Sequence, residues 1–227
     1  MIITIDGPAG SGKSSTARAV ADRLGFRHLD SGAFYRTLTL AALSKGLPAD
    51  RWDDLSLEEL DALGVGARTR GNRFVMRIGE EDVDQEIRAP AVNAHVSEMA
   101  RVPAVRQWLM GLLRAAADDT DLVTDGRDMG TVVFPDADLK VFLVADPETR
   151  ARRRLAETGT ADPGADELRA EVHRLLARDR IDSERETAPL KKAEDAVVVD
   201  TTALTFDEQV GMIEVLARAR GAAALAP

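Results

Sequence analysis

The chain of 227 residues carries 30 Lys and Arg against 39 Asp and Glu, a formal net charge of −9 that argues against a general binder of nucleic acid or anionic membrane. It has no cysteine, which excludes disulfides, thiolate catalysis and Cys-based metal sites, and His28, His95 and His173 lack the spacing of zinc ligands. This length accommodates one sizeable core, or a core with an inserted subdomain.

Ile2-Ile3-Thr4-Ile5 reads as a short buried strand. A strand beginning at Ile2 is expected to leave no room for a signal peptide, and no apolar run is long enough to span a membrane, so a cytoplasmic protein is expected. Gly7-Pro8-Ala9-Gly10-Ser11-Gly12-Lys13-Ser14 follows, a glycine, four free positions, then Gly-Lys-Ser. Ala17, Val20, Ala21 and Leu24 continue it at helical spacing. Strand, glycine loop and helix turn backbone N–H groups around a phosphate at a positive helix end. Lys13 then reaches the β and γ phosphates, and the Ser14 hydroxyl can hold Mg²⁺. The competing reading is a glycine-rich turn without a ligand; the full pattern in this context favours a nucleoside triphosphate, with Gly7 to Ser14 and the adjacent Ser15 as the ATP-binding segment.

Gly25 sits where a helix C-terminal glycine belongs, and Phe26–Leu29 reads as a second strand. Asp30 or Ser31 can cap a helix running to about Ser44, with Gly46 ending it. Ser31 lies at its anion-attracting start, with Tyr35, the only tyrosine, and Arg36 one turn on. Residues 47–83 read as an excursion. Ser56-Leu57-Glu58-Glu59 is a capping box, and Val65–Thr69 and Phe74–Ile78 flank a hairpin turn. A small antiparallel β unit inserted into an α/β domain is the expectation.

From Ala91 to Ala117 the pattern is helical, interrupted or bent near Pro103, with Ser97 and Arg106 among its apolar residues. After a polar loop at 118–121, Leu122-Val123-Thr124 is a third strand. It ends in Asp125, where a phosphate-loop protein keeps the acid that orients hydrated Mg²⁺. Lys140–Ala145 is a fourth strand, followed by an Asp146-capped helix with Pro147 at its first position. Arg150, Arg152, Arg153 and Arg154 on that helix lead into a turn-rich segment, as a closing lid over phosphates requires. A solvated arginine face is the plainer alternative. On the next helix Arg178, Asp182 and Arg185 share one face. Ala196–Val199 is a fifth strand, and a capping box at Thr205–Glu208 opens the last helix.

These elements predict an α/β fold: a five-stranded parallel sheet with flanking helices, a small inserted β-containing substrate-side domain and a helical lid. The expected boundaries are 1–46 and 84–221 for the core with the lid at about 150–166, 47–83 for the insertion, and 222–227 for a frayed tail. A second, arginine-rich anion site facing the phosphate loop, with a candidate lid, suggests phosphoryl transfer between two bound phosphate compounds. A phosphate-loop kinase for a different small molecule, and a nucleotide-binding regulatory protein without transfer activity, both remain open on the residues alone.

Ile3–Pro8 with the phosphate loop, Asp30–Arg36, Gly79–Val83, Asp125–Ala137 and Arg178–Arg185 through Pro189-Leu190 resemble bacterial cytidylate kinases, of the nucleoside monophosphate kinases. The resemblance covers nearly the whole chain. It implies ATP-dependent conversion of CMP and dCMP to CDP and dCDP, Mg²⁺, small-molecule nucleotide partners, no nucleic acid polymer, no membrane and a monomer. It further implies that Ser97, Arg106 and Asp128 read cytosine and that Arg178 and Asp182 hold the sugar. Ser31, Tyr35, Arg36, Arg127 and Arg185 would hold the monophosphate. Lys13, Arg36, Arg127, Asp128, Arg153 and Arg154 are the expected catalytic set, with Ser14 and Asp125 (through water) at the metal.

Overall fold

A computed structural model describes residues 1–118 and 120–222. Asp119 of the polar loop and all but Ala222 of the expected tail lie outside the described residues.

The sheet is built around β1 (Ile2–Asp6). It pairs in parallel with β6 (Leu122–Gly126) on one side and β7 (Leu139–Val144) on the other. β2 (Arg27–Asp30) continues beyond β6, and β8 (Val197–Asp200) beyond β7, all parallel. Ile3, Thr4 and Ile5 are fully buried, as a central strand covered on both faces requires.

The expected five-stranded sheet is corrected here. The inserted hairpin β3 (Val65–Arg70) and β4 (Arg73–Ile78), with the two-residue β5 (Glu81–Asp82), does not stand apart. His28 N–H donates to Asn72 O at 2.8 Å, and β4 runs on beside β2. The result is one eight-stranded mixed sheet, ordered β3-β4-β2-β6-β1-β7-β8, with β5 on β4. A hairpin edge left open would expose unpaired backbone groups; docking on β2 satisfies part of it.

Helices α1 (Lys13–Leu24) and α8 (Phe206–Ala219) cover one face. They enclose Ile3, Ile5, Val20, Val123, Val141 and Ile213. Across the sheet lie α2 (Ser31–Ser44), α3 (Leu57–Ala62), α4 (Pro90–Met99) and α5 (Pro103–Ala115). The second cluster joins Leu29, Phe34, Met99, Leu109 and Leu122 to Trp52, Leu60 and Met76 of the insertion. Segment 47–83 therefore shares its apolar cluster with the parent domain. A third, small cluster packs Ala9 against the consecutive helices α6 (Pro147–Glu157) and α7 (Ala165–Glu184).

Local signals act where they were expected. Ser56 and Thr205 form capping boxes with Glu59 and Glu208, Asp30 caps α2 and Asp146 caps α6. Pro103 opens α5 and separates it from α4.

Candidate active site

Three neighbouring strands carry an acid at or next to the same end: Asp6 on β1, Asp30 on β2 and Asp125, one residue before the end of β6, where Asp30 and Asp125 are register partners. The chain leaves β1 for β2 on one side and later returns to β7 on the other, so a crevice opens at these strand ends. It is a cleft of about 650 Å³ lined by residues of the phosphate loop, α1, α2, α4, α5, α6, α7 and the β6 exit.

On one wall, Gly12 takes φ 86° and heads α1 without a side-chain cap, leaving its first N–H groups for an anion. Gly7 passes so close to β7 that a Cβ would lie 2.4 Å from Leu143 O. Lys13 is buried, and its Nζ donates to Pro8 O at 3.1 Å. Burial, and then the nearby Arg127 guanidinium, lowers its pKa to about 7 against the pull of Asp125.

Ser14 Oγ donates to Asp125 Oδ2, and Asp125 Oδ1 meets His28 Nε2 at 2.9 Å. Burial works against charge on Asp125, yet His28, Ser14 and Lys13 hold its carboxyl below the usual range. Burial and the Asp125 charge push Asp30 the other way. A hydroxyl beside carboxylates is an all-oxygen donor set, which fits a hydrated Mg²⁺ better than a soft metal.

The opposite wall carries Ser31, Tyr35, Arg36, Ser97, Arg106, Asp128, Asp182 and Arg185. Arg106 donates to Asp128 Oδ2 and to Ala100 O, and lies 5.6 Å from the Tyr35 ring centroid. Burial pushes the Tyr35 phenol up to about 12 despite Arg106. Arg127 Nε donates to Asp182 Oδ2 at 2.8 Å, Arg185 Nη2 to Ala188 O at 2.8 Å, and Ser31 Oγ to Asp125 O at 2.7 Å. Between the walls stands Arg178, half-buried, with its Nε buried and unpartnered and no ion pair among the described residues. Burial and then Arg127 lower it to about 10. Burial also lowers Arg36 and Arg185, with cationic neighbours contributing: Arg154 for Arg36 and Arg106 for Arg185. Among the described residues nine cationic side chains line the cleft against five acidic ones, an excess that fits a polyanionic ligand.

Of the expected site residues, Gly7, Pro8 and Ser11 form the inner turn of the phosphate loop without lining the cleft, while Ala9, Gly10, Gly12, Lys13, Ser14 and Ser15 line it. Arg154 lines it as well and pairs with Glu157. Arg153 is not among the lining residues but stays beside the phosphate loop: its Nη1 donates to Thr201 Oγ1 at 2.9 Å and its Nη2 to Thr201 O at 2.6 Å, and a Cβ on Gly12 would lie 4.0 Å from that Nη1. Adjacent helix positions face about 100° apart, so Arg154 reaches the cleft lining while Arg153 is held at Thr201, next to Gly12.

Several residues in the site carry no motif. Asp6 accepts from Met129 and Gly130 N–H at 2.9 and 2.8 Å and so holds the single π-helical turn Met129–Val133 that follows Arg127 and Asp128. Burial raises its pKa to about 6 in spite of those bonds. Asn93 accepts from Arg36 and donates to Arg88 O at 2.8 Å; both Asn93 and Arg88 line the cleft. A visible signal was the recurrence of Asp at the ends of three strands.

The profile of the family described as Cytidylate kinase matches residues 3–219. The chain is 46% identical over 214 residues to a cytidylate kinase of Pelotomaculum thermopropionicum, covering 93% of each chain. It is 43% identical over 222 residues to a cytidylate kinase of Mycobacterium avium, covering 97% of this chain and 96% of that one. Among solved structures, an uncharacterized protein of Eubacterium ventriosum superposes with a TM-score of 0.50 at 12% identity over 95% of this chain and 97% of that one, a likeness of fold alone.

Proposed function

The chain belongs to the cytidylate kinase family, and on that premise we propose that the two walls of the cleft are the donor and acceptor halves of an ATP-dependent CMP and dCMP kinase. The observation that carries the assignment is the band of cations between them: Lys13, Arg36, Arg127, Arg154, Arg178 and Arg185 all line one cleft.

An oxygen of the CMP phosphate attacks the γ-phosphorus of ATP in line. The new P–O bond forms as the bond to the β,γ-bridging oxygen breaks, and that electron pair leaves on ADP. A phosphate monoester has a second pKa of about 6, so the acceptor is already largely dianionic at neutral pH and no general base is required. Lys13 and the guanidinium groups offset charge spreading over the transferring group. Ser14 and Asp125 would hold a hydrated Mg²⁺, which when bound neutralises phosphate charge. Asp128 accepts from the cytosine 4-amino group and Arg106 donates to ring acceptors, with Ser97 beside them. Asp182, fixed by Arg127, faces the sugar. Arg178, within electrostatic reach of Arg127, Arg36 and Lys13, is read as a phosphate ligand in addition to its expected place at the sugar.

We take the lid to be the segment between α6 and α7, and the enzyme to be a cytoplasmic monomer, on the family and the acidic composition. Among the described residues no helix is long and apolar enough to cross a membrane. A coupled assay of ADP release with CMP, dCMP, UMP, AMP and shikimate tests the reading. Turnover of CMP and dCMP well above the rest is expected; equal use of UMP would refute the base-reading half.

A further inference from the structure

Arg150 and Asp179 do not line the cleft, yet between them they engage both backbone groups of one residue in the phosphate loop. The Ala9 N–H donates to Asp179 Oδ1 at 2.8 Å, and the Ala9 carbonyl accepts from Arg150 Nη1 at 2.9 Å. The same Nη1 meets Asp179 Oδ2 at 2.5 Å. Arg150 belongs to α6 and Asp179 to α7, so each helix of the lid hairpin contributes one partner. Arg150 is only 4% exposed, and Ala9 is packed with Ala151, Leu155, Leu168 and Leu175. The backbone fits closely too: a Cβ on Gly10 would lie 3.1 Å from Arg150 O.

A loop that binds phosphate through its own N–H groups works while those groups converge, and a tip left free would spread them. A carboxylate is a strong acceptor for fixing a backbone N–H, but an uncompensated one beside an anion site would repel the anion. Arg150 removes that conflict by pairing with Asp179 while it fixes the other backbone group of the same residue, in the next peptide unit.

We infer that Arg150 and Asp179 are positioning residues for ATP: a charge-neutral clamp that ties the tip of the phosphate loop to the base of the lid. The inference rests on the reading of Gly7 to Ser14 as the donor site. A clamp of this kind predicts an asymmetry that packing alone does not. Arg150→Met leaves a stray carboxylate beside the donor site. Asp179→Asn keeps an acceptor for Ala9 and leaves only a stray cation, which does not repel ATP. Adding Asp179→Asn to Arg150→Met removes the stray charge and restores binding.

The test is ATP affinity by calorimetry and the separate KM values for ATP and CMP in the two single variants and the double variant, with amide hydrogen exchange at Ala9. Arg150→Met is expected to weaken ATP binding roughly tenfold or more, as for loss of a charge-assisted hydrogen bond, with the CMP KM within about twofold of wild type. The double variant should bind ATP more tightly than Arg150→Met. In nucleotide-free Asp179→Asn the Ala9 amide should exchange faster than in wild type, a readout that stands even where Arg150→Met does not fold. Parallel rises in both KM values, no relief in the double variant, or unchanged Ala9 exchange would each overturn the clamp. Failure of the wild type to phosphorylate CMP would instead overturn the donor reading, and the Ala9 exchange result would still report on the clamp.

Discussion

Arg106 and Asp128 meet in the floor of the acceptor wall, 7% and 2% exposed, so each is the other's counter-charge before any nucleotide arrives. Removing one partner of such a pair leaves a buried charge uncompensated and costs about 3–5 kcal/mol. Asp128→Ala therefore mixes a folding defect with a recognition defect; Asp128→Asn also removes the charge but keeps the side-chain shape and an acceptor for Arg106, so its melting temperature is read beside its kinetics. Its amide can donate to the 4-carbonyl of uracil as the carboxylate cannot. The CMP-over-UMP ratio of kcat/KM is expected to fall roughly 10- to 100-fold, the value of a hydrogen bond to a charged group. A competition assay that found the ratio unchanged would remove Asp128 from base reading.

Lys13 links nucleotide binding to protons. Its pKa is about 7 in the nucleotide-free protein, so at pH 8 most of it is neutral. A triphosphate favours the ammonium, and ATP binding at pH 8 should take up a proton, approaching about one per site. Calorimetry in two buffers of different ionisation enthalpy measures it; no uptake at pH 8 contradicts the pairing. The sign for stability follows from the same shift. Between about 7 and the ordinary 10.5 the unfolded chain binds the proton that the folded chain lacks, so Lys13 makes the nucleotide-free fold more stable as pH rises through that window. Lys13→Met should abolish the proton uptake and lower kcat by about 10²-fold or more.

Arg178 should show stability and activity pulling apart. It is half-buried among cations, with no ion pair among the described residues to offset its desolvation. Arg178→Met is expected to keep or raise the melting temperature of the nucleotide-free protein, while turnover falls about 100-fold. Melting curves with and without ATP and CMP, beside initial rates, check it. A large loss of stability without nucleotide would mean that the residue is structural.

Gly126 is a steric requirement of the acceptor wall. A Cβ there would lie 2.6 Å from Ser31 Oγ and 2.8 Å from Met129 Cγ. Ser31 Oγ is engaged with Asp125 O, so it cannot yield freely. Gly126→Ala should destabilise by about 1–3 kcal/mol, the usual range for overpacking. The CMP KM should rise more than the ATP KM, since the displaced residues are on the acceptor side. Steady-state kinetics with each substrate varied in turn would show the split.

Features governed by neighbours in sequence were legible. Gly12-Lys13-Ser14, the Ser56–Glu59 and Thr205–Glu208 boxes, and the Asp146-Pro147 helix start all follow from local backbone chemistry. Features that depend on distant approach were not. The carboxylate of Asp6 matters because Met129 and Gly130 come to it from more than 120 residues away, and nothing local to Asp6 announces them. Asn93 and Arg88 enter the cleft because α2 and α4 pack together. The β insertion read correctly as a hairpin, but its continuation of the sheet depends on Asn72 meeting His28. Charge alone does not report which way a helix is turned, so the different partners of Arg153 (Thr201) and Arg154 (Glu157) could not be read from the arginine run.

The position of β1 imposes an order on biogenesis. Its partners come much later in the chain: β6 begins at Leu122 and β7 ends at Val144. Residues 2–6 therefore cannot be anchored on both edges until the chain has been synthesised through Val144. Contacts of such sequence separation form slowly, and parallel strands waiting for partners are exposed to wrong ones. The hairpin at 65–78 and the helices α1 and α2 depend on local contacts and can organise while the ribosome is still extending the chain. The phosphate loop thus emerges well before the strands that fix β1 beneath it, and its shape waits for them.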